Sequence, residues 1–143
     1  MLYFLSPDAA FQAVNAFALL FWIFLAVLPK WAYTRRIVLF GGVLLLSVAY
    51  LSLSSVLLSV SGDGMSLATI SKGFQSPQTA LLGWVHYLAF DLFVGAWEVH
   101  DSQANNISHW FVIPCLFLTF MAGPIGLLLY FILRTIRTKQ MHV

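Results

Sequence analysis

The chain is 143 residues long, 61 % apolar and 8 % charged, with a formal net charge of +2 and a mean hydropathy of +0.90. Soluble domains are nearer about 45–50 % apolar, so this is an integral membrane chain, with room for about four spans of about 20 residues and none for a separate soluble catalytic domain. Seven Lys and Arg in two short clusters are too few to suggest a nucleic-acid partner. A single cysteine, Cys115, excludes an intramolecular disulfide and is expected as a buried, inert thiol.

The first apolar run, Ala9 to Leu28, follows Ser6-Pro7-Asp8, which offers a capping hydroxyl, proline at the first helical position and an acid in the first turn. Met1 to Asp8 holds no Lys or Arg, so the run is expected as a retained span rather than a secretory signal. Pro29-Lys30-Trp31 ends it. Arg35-Arg36 precede a second run from Ile37 to Val60, which Ser61-Gly62-Asp63-Gly64 breaks, and the two runs should form a helical hairpin. Ser61 to Gln75 is too polar to cross and too apolar for a free linker, and is expected to lie on the membrane surface. Ser76-Pro77-Gln78 repeats the Ser-Pro start and introduces the third run, Ala80 to Trp97.

The last run, Trp110 to Ile136, contains Pro114 and Gly123-Pro124. These should kink it without ending the crossing, because neighbouring helices can satisfy freed carbonyls. The expectation is an all-α, integral membrane four-helix bundle, one transmembrane domain over residues 1–143 with spans near 9–28, 37–60, 80–97 and 110–136. Four crossings would set Lys30, Arg35 and Arg36 against Lys72, Arg134, Arg137 and Lys139, close to a tie under the positive-inside rule. The Glu98 to His109 connection has no Lys or Arg, which favours both termini in the cytoplasm.

Asp91 is the acid set in the middle of an apolar run. Charged groups in hydrocarbon cost about 3 kcal/mol on insertion scales and are usually kept for a function. On a helix, Asp91 and Glu98 point within about 20° of each other, about 10 Å apart along the axis, with Tyr87 one turn before Asp91 on the same side. His86 and His100 fall on another face with Phe90, Phe93 and Trp97, although His86 could still flank a pocket shared with Asp91. Glu98, His100 and Asp101 read more simply as a wetted span end. In the first span Asp8, Gln12 and Asn15 share one stripe, where the amides could orient Asp91 or tie helices together at about 1 kcal/mol each. Ala9, Ala13 and Ala16, and Gly123 with Gly126, offer close helix approach.

The histidines occur singly rather than in His-x-x-His or His-x-x-x-His pairs, so no metal site is expected, and no motif specifies a cofactor. Most tryptophans fall near span ends, as in an interfacial belt. Phe90, Phe93, Phe111, Phe117 and Phe120 either pack helices or line a slot for a long apolar ligand.

Trp84-Val-His86, Asp91-Leu-Phe and Asp101, then Pro114-Cys-Leu and Gly123-Pro124-Ile-Gly126-Leu-Leu, resemble the neoxanthin-synthase-like family. Asn15, Trp22 and Pro29-Lys-Trp are also similar, so the resemblance covers nearly the whole chain and is most specific in the third span. That family comprises the plant abscisic-acid-deficiency membrane protein and many bacterial relatives. The resemblance implies four spans and, for the plant members, conversion of violaxanthin to neoxanthin, an isomerisation that opens an epoxide and forms an allene. Its matching positions here are His86, Asp91 and Asp101, with Asn15 a looser match. The chain lacks the long amino-terminal extension of a plastid-targeted protein, so a bacterial inner membrane is the expected location and the plant substrate does not transfer automatically.

The expected activity is acid/base isomerisation or modification of a carotenoid or related isoprenoid. Asp91 would be the acid and His86 the base, with Gln12, Asn15, Tyr87, Glu98 and Asp101 binding or orienting the ligand. The expected partners are a carotenoid or other apolar polyene, membrane lipid, and further copies of the chain or a larger membrane complex. A carotenoid is roughly as long as the hydrocarbon layer is thick, about 30 Å. Two alternatives stand beside this reading: a non-catalytic pigment-binding or assembly subunit, and a small proton-coupled transporter using Asp91.

Overall fold

Each long apolar run becomes a helix, because in hydrocarbon every backbone N–H and C=O must be satisfied within the chain. A computed structural model describes residues 6–54 and 66–139. In it α1 spans Pro7–Val27, α2 Thr34–Leu53, α3 Leu67–Gly73, α4 Pro77–Ala104, α5 His109–Ala122 and α6 Pro124–Thr138. Among the described residues there are therefore six helices rather than four. Three of them, α1, α2 and α4, are long and apolar enough to cross a membrane.

Local chemistry sets the ends. Ser6 caps α1 by accepting from the Ala9 amide at 3.3 Å, with Pro7 opening the helix. Between α1 and α2 the buried Thr34 hydroxyl donates to the Leu28 carbonyl at 2.6 Å, closing a tight connection. Within α2, Ile37–Val43 winds as a π-helix and presents Val38 and Gly42 to the core. Ser66 caps the short α3, none of whose side chains is buried. The end of the second apolar run, Ser55 to Val60, and the Ser61-Gly62-Asp63-Gly64 break lie outside the described residues.

The last apolar run does not cross. It doubles back at Gly123, and α5 and α6 lie antiparallel: the Arg137 guanidinium sits 4.1 Å from the centre of the Phe111 ring, so the far ends of the two helices meet. Gly123 adopts φ 43°, a left-handed value that a glycine reaches at little cost, and Pro124 opens α6 in a new direction. Gly126 then packs directly on the Thr119 backbone, where a Cβ would have no room. Pro114, by contrast, sits inside α5 without ending it. With 14 and 15 residues, each arm is about 21 Å long, short of the hydrocarbon core of about 30 Å. The expected kinked fourth span is thus a re-entrant hairpin. Its tip rests against Asp91, midway along the 28 residues of α4, and its mouth opens where α4 ends.

This changes the topology. With α1, α2 and α4 as the crossing helices, the start of α1 and the end of α6 lie at opposite ends of the bundle, unlike the expected arrangement with both termini on one side. Lys30, Arg35, Arg36, Arg134, Arg137 and Lys139 gather on the mouth face, leaving Lys72 alone on the other. The near-tie in basic residues becomes six against one in that arrangement. That face is also tied together by polar contacts. Gln103 donates to the Pro29 carbonyl at 2.5 Å, His109 to the Ala26 carbonyl at 2.9 Å, and Arg35 to His100 at 3.3 Å.

Candidate functional site

The face of α4 turned toward the hairpin carries a stripe of polar groups at helical spacing, each answered by the hairpin. At the deep end, Asp91 is 9 % exposed, its Oδ1 would lie 2.8 Å from a Cβ on Gly123, and its Oδ2 has no hydrogen-bond partner in the chain. The Tyr87 phenol lies beside both Asp91 and the Gly123 backbone. Two turns further, Glu98 is fully buried: Oε1 accepts from the Thr119 hydroxyl at 2.9 Å and Oε2 is unpartnered. Near the mouth, Asp101 Oδ2 accepts from the Tyr130 hydroxyl at 2.6 Å and from Arg134 Nε at 2.8 Å. The Arg134 and Asp101 side chains are only 7 % and 12 % exposed. On the α1 side, Trp22 lays its indole on Gly95, between Asp91 and Glu98 in sequence, and its Nε1 has no partner either.

The residues singled out by sequence divide. Asp91, Tyr87, Glu98 and Asp101 come together along this stripe. The reading of Glu98, His100 and Asp101 as a wetted end holds for His100, which is exposed, and fails for the two acids, because the hairpin covers them. His86 does not join Asp91. Five residues away on the helix, it is exposed on another face, with its ring 5.4 Å from Tyr50 and 4.6 Å from Phe90. Gln12 is exposed, and Asn15 donates to its own helix at Phe11 while accepting from the Trp84 indole at 3.1 Å. Asn15 therefore approaches the centre only through Trp84, which stacks on Tyr87 at 5.4 Å. Ala9, Ala13 and Ala16 are exposed; Ala10 and Ala18 are the small residues that face the core.

Thr119, Gly123, Tyr130 and Arg134 complete the site. Tyr130 and Arg134, four apart on one helical face, signal a polar stripe in the last run, but pairing them with Asp101 requires the turn at Gly123. Among the described residues no three His, Cys, Asp or Glu side chains gather to hold a metal ion. Cavities flank the bundle. A cleft of about 880 Å³ opens at the mouth face between α1, α4 and α5, bordered by Lys30, Gln103, Asn106 and His109. A lateral groove of about 210 Å³ lies between α2 and α4, lined by Val43, Ser47, Ala89, Phe90 and Phe93.

The fold and site define a helical membrane protein in which, among the described residues, three helices are long and apolar enough to cross and a carboxylate stripe on the third is capped by a helical hairpin. A family model described as ABA DEFICIENT 4-like matches residues 9–130, from the first turn of α1 to Tyr130, and the chain belongs to that ABA4-like family. No curated protein and no solved structure matches the chain.

Proposed function

We propose that the protein modifies a carotenoid or related polyene isoprenoid within a bacterial inner membrane by acid/base chemistry at Asp91. Family membership supports the substrate class, and one observation carries the chemistry: a buried carboxyl midway along the long apolar helix α4, with one oxygen free of partners. A structural carboxylate would have both oxygens engaged, since an unsatisfied buried polar atom costs about 1–3 kcal/mol. Opening an epoxide to an allene moves one proton onto oxygen and removes one from carbon. The substrate's proton count is unchanged, so a single carboxyl can give its proton to the oxygen, accept the carbon-bound proton and return to its starting state. Asp91 suffices for this, with Tyr87 holding its carboxyl in place. His86, on the lipid-facing side beside the lateral groove, belongs with ligand contact instead of proton transfer.

The test uses protein from carotenoid-containing membranes, purified in mild detergent and supplied with epoxy-carotenoids, with extracted pigments separated by chromatography. Conversion by the wild type and none by Asp91→Asn is the expected result. Full conversion by Asp91→Asn would refute the assignment. A bound polyene unchanged in wild type and variant alike would instead identify a pigment-binding protein, a reading that the exposed Phe90 and Phe93 beside the groove favour.

A further inference from the structure

The isomerisation returns Asp91 to its acid form in each turnover, but any proton that Asp91 gains or loses outside that cycle must be exchanged with an aqueous face. A carboxyl sealed in hydrocarbon from both faces would stay in whichever state it last held. The carboxylates of the stripe continue from it toward one face only. Toward the mouth come Glu98 and then Asp101; toward the opposite face come Tyr87 and the indole of Trp84, stacked ring on ring.

Glu98 occupies the middle of that stripe, and its structural partner, Thr119, engages one of its two oxygens. The other is unpartnered on a side chain that is 0 % exposed. Gly95 is one turn from each carboxyl-bearing residue and is covered by the six-membered edge of the Trp22 indole, Cη2 and Cζ3. Buried polar atoms left unsatisfied by protein are the places where internal water makes its two to four hydrogen bonds. The gap matches that use: seven residues place the two backbones about 10 Å apart along the axis, too far for direct transfer between carboxyls and short enough for a water bridge. Side chains on a helix lean toward its N-terminus, which aims the longer Glu98 at Asp91.

We propose that Glu98 is the proton-relay residue that connects Asp91 to the hairpin-mouth face through internal water. It is a positioning and relay group, not one that touches substrate. In each transfer the Glu98 carboxylic acid releases its proton into the water bridge as the Asp91 carboxylate takes one up, and Glu98 is refilled from the mouth. The groups facing Glu98 are Asp91 and Asp101 on its own helix, Cys115 and Thr119 from α5 and Tyr130 from α6, with Trp22 of α1 beside the bridge. Tyr130 joins the relay to Asp101 and Arg134 at the exit. The proposal rests on the reading of Asp91 as a group that exchanges protons, but not on which molecule it acts upon.

The experiment is infrared spectroscopy of the protein in lipid nanodiscs during transfer to deuterated buffer, titrated from acid to alkaline pH. The carboxylic band lost in Asp91→Asn identifies Asp91. Its exchange should slow tenfold or more in Glu98→Gln and stay within about threefold of wild type in Glu98→Asp, which keeps a titratable group. Thr119→Val, which leaves Glu98 in place, should shift the Glu98 band and change the exchange rate. Exchange of Asp91 at the wild-type rate in Glu98→Gln would overturn the relay, as would the lack of any Asp91 carboxylic band across the titration. Pigment conversion is scored separately, so a chain inactive on carotenoids yet showing Glu98-dependent exchange keeps the relay and loses the proposed substrate.

Discussion

One helix, α4, meets two different neighbours, and the contrast between its faces explains the architecture. Toward α1 and α2 its buried contacts are apolar: Leu92 packs against Gly42 and Phe21 closes the same junction, and hydrogen bonds appear only at partly exposed positions, Trp84 to Asn15 and Arg35 to His100. Toward the hairpin it is polar, and Asp91, Glu98 and Asp101 each meet a group on α5 or α6 or the turn between them. In lipid there is no hydrophobic drive between helices, so the first contact holds by close packing and the second by hydrogen bonds and charge. Helices that span can be held by packing alone; a hairpin that does not span needs polar partners at depth.

The sharpest way to break the contrast is to unpair the hairpin. Arg134→Ala leaves Asp101 buried without its cation and should cost about 3–5 kcal/mol, read as a loss of thermal stability in detergent, with Asp101→Asn milder. If Arg134→Ala melts like wild type, the mouth is not held by that pair. Next comes the turn. Gly123→Ala places a methyl in a left-handed conformation against the Asp91 carboxyl, and a destabilisation of about 1–3 kcal/mol is expected, with displacement of Asp91 visible as a shifted carboxyl band.

Removing the Thr119 hydroxyl isolates a single contact. Thr119→Val should cost about 1 kcal/mol, and a double-mutant cycle with Glu98→Gln should return a coupling of at least about 0.5 kcal/mol if the bond is as placed. The apolar side supplies the smallest effect. His86→Ala, on an exposed face, should change stability by about 0.5 kcal/mol or less, and a larger loss would place His86 inside the packing instead. Topology offers a qualitative check of the same comparison. Reporters fused at the two ends of the chain should report opposite faces; the same face for both would restore a fourth crossing.

The apolar half of this picture is legible in the sequence because the bilayer dictates it: a run as long as Ala9 to Leu28 or Ala80 to Trp97 has few ways to satisfy its backbone. The hairpin is not, since Trp110 to Ile136 has the length and hydropathy of one crossing and differs only in what happens at Gly123. Whether a Gly-Pro pair bends or reverses a helix depends on what receives the second arm, here a stripe on α4. Asp91 is legible from its depth and Glu98 from the seven-residue spacing. Tyr130 and Arg134 are not, because they meet Asp101 across 29 and 33 positions, through a turn that the sequence read alone treats as a kink. His86 shows the opposite failure: close to Asp91 in the chain, it is turned away from it by the helix.

The hairpin also dictates an order of biosynthesis. Its arms are too short to be laid down as a crossing segment, and its turn is stable at depth only with α4 already beside it. Insertion must therefore proceed in two acts, with the first three spans threaded one after another as they emerge. The hairpin of α5 and α6 can settle only once its berth on α4 exists. Until the hairpin is in place, Asp91 and Glu98 lack the cover that Gly123 and Thr119 give them.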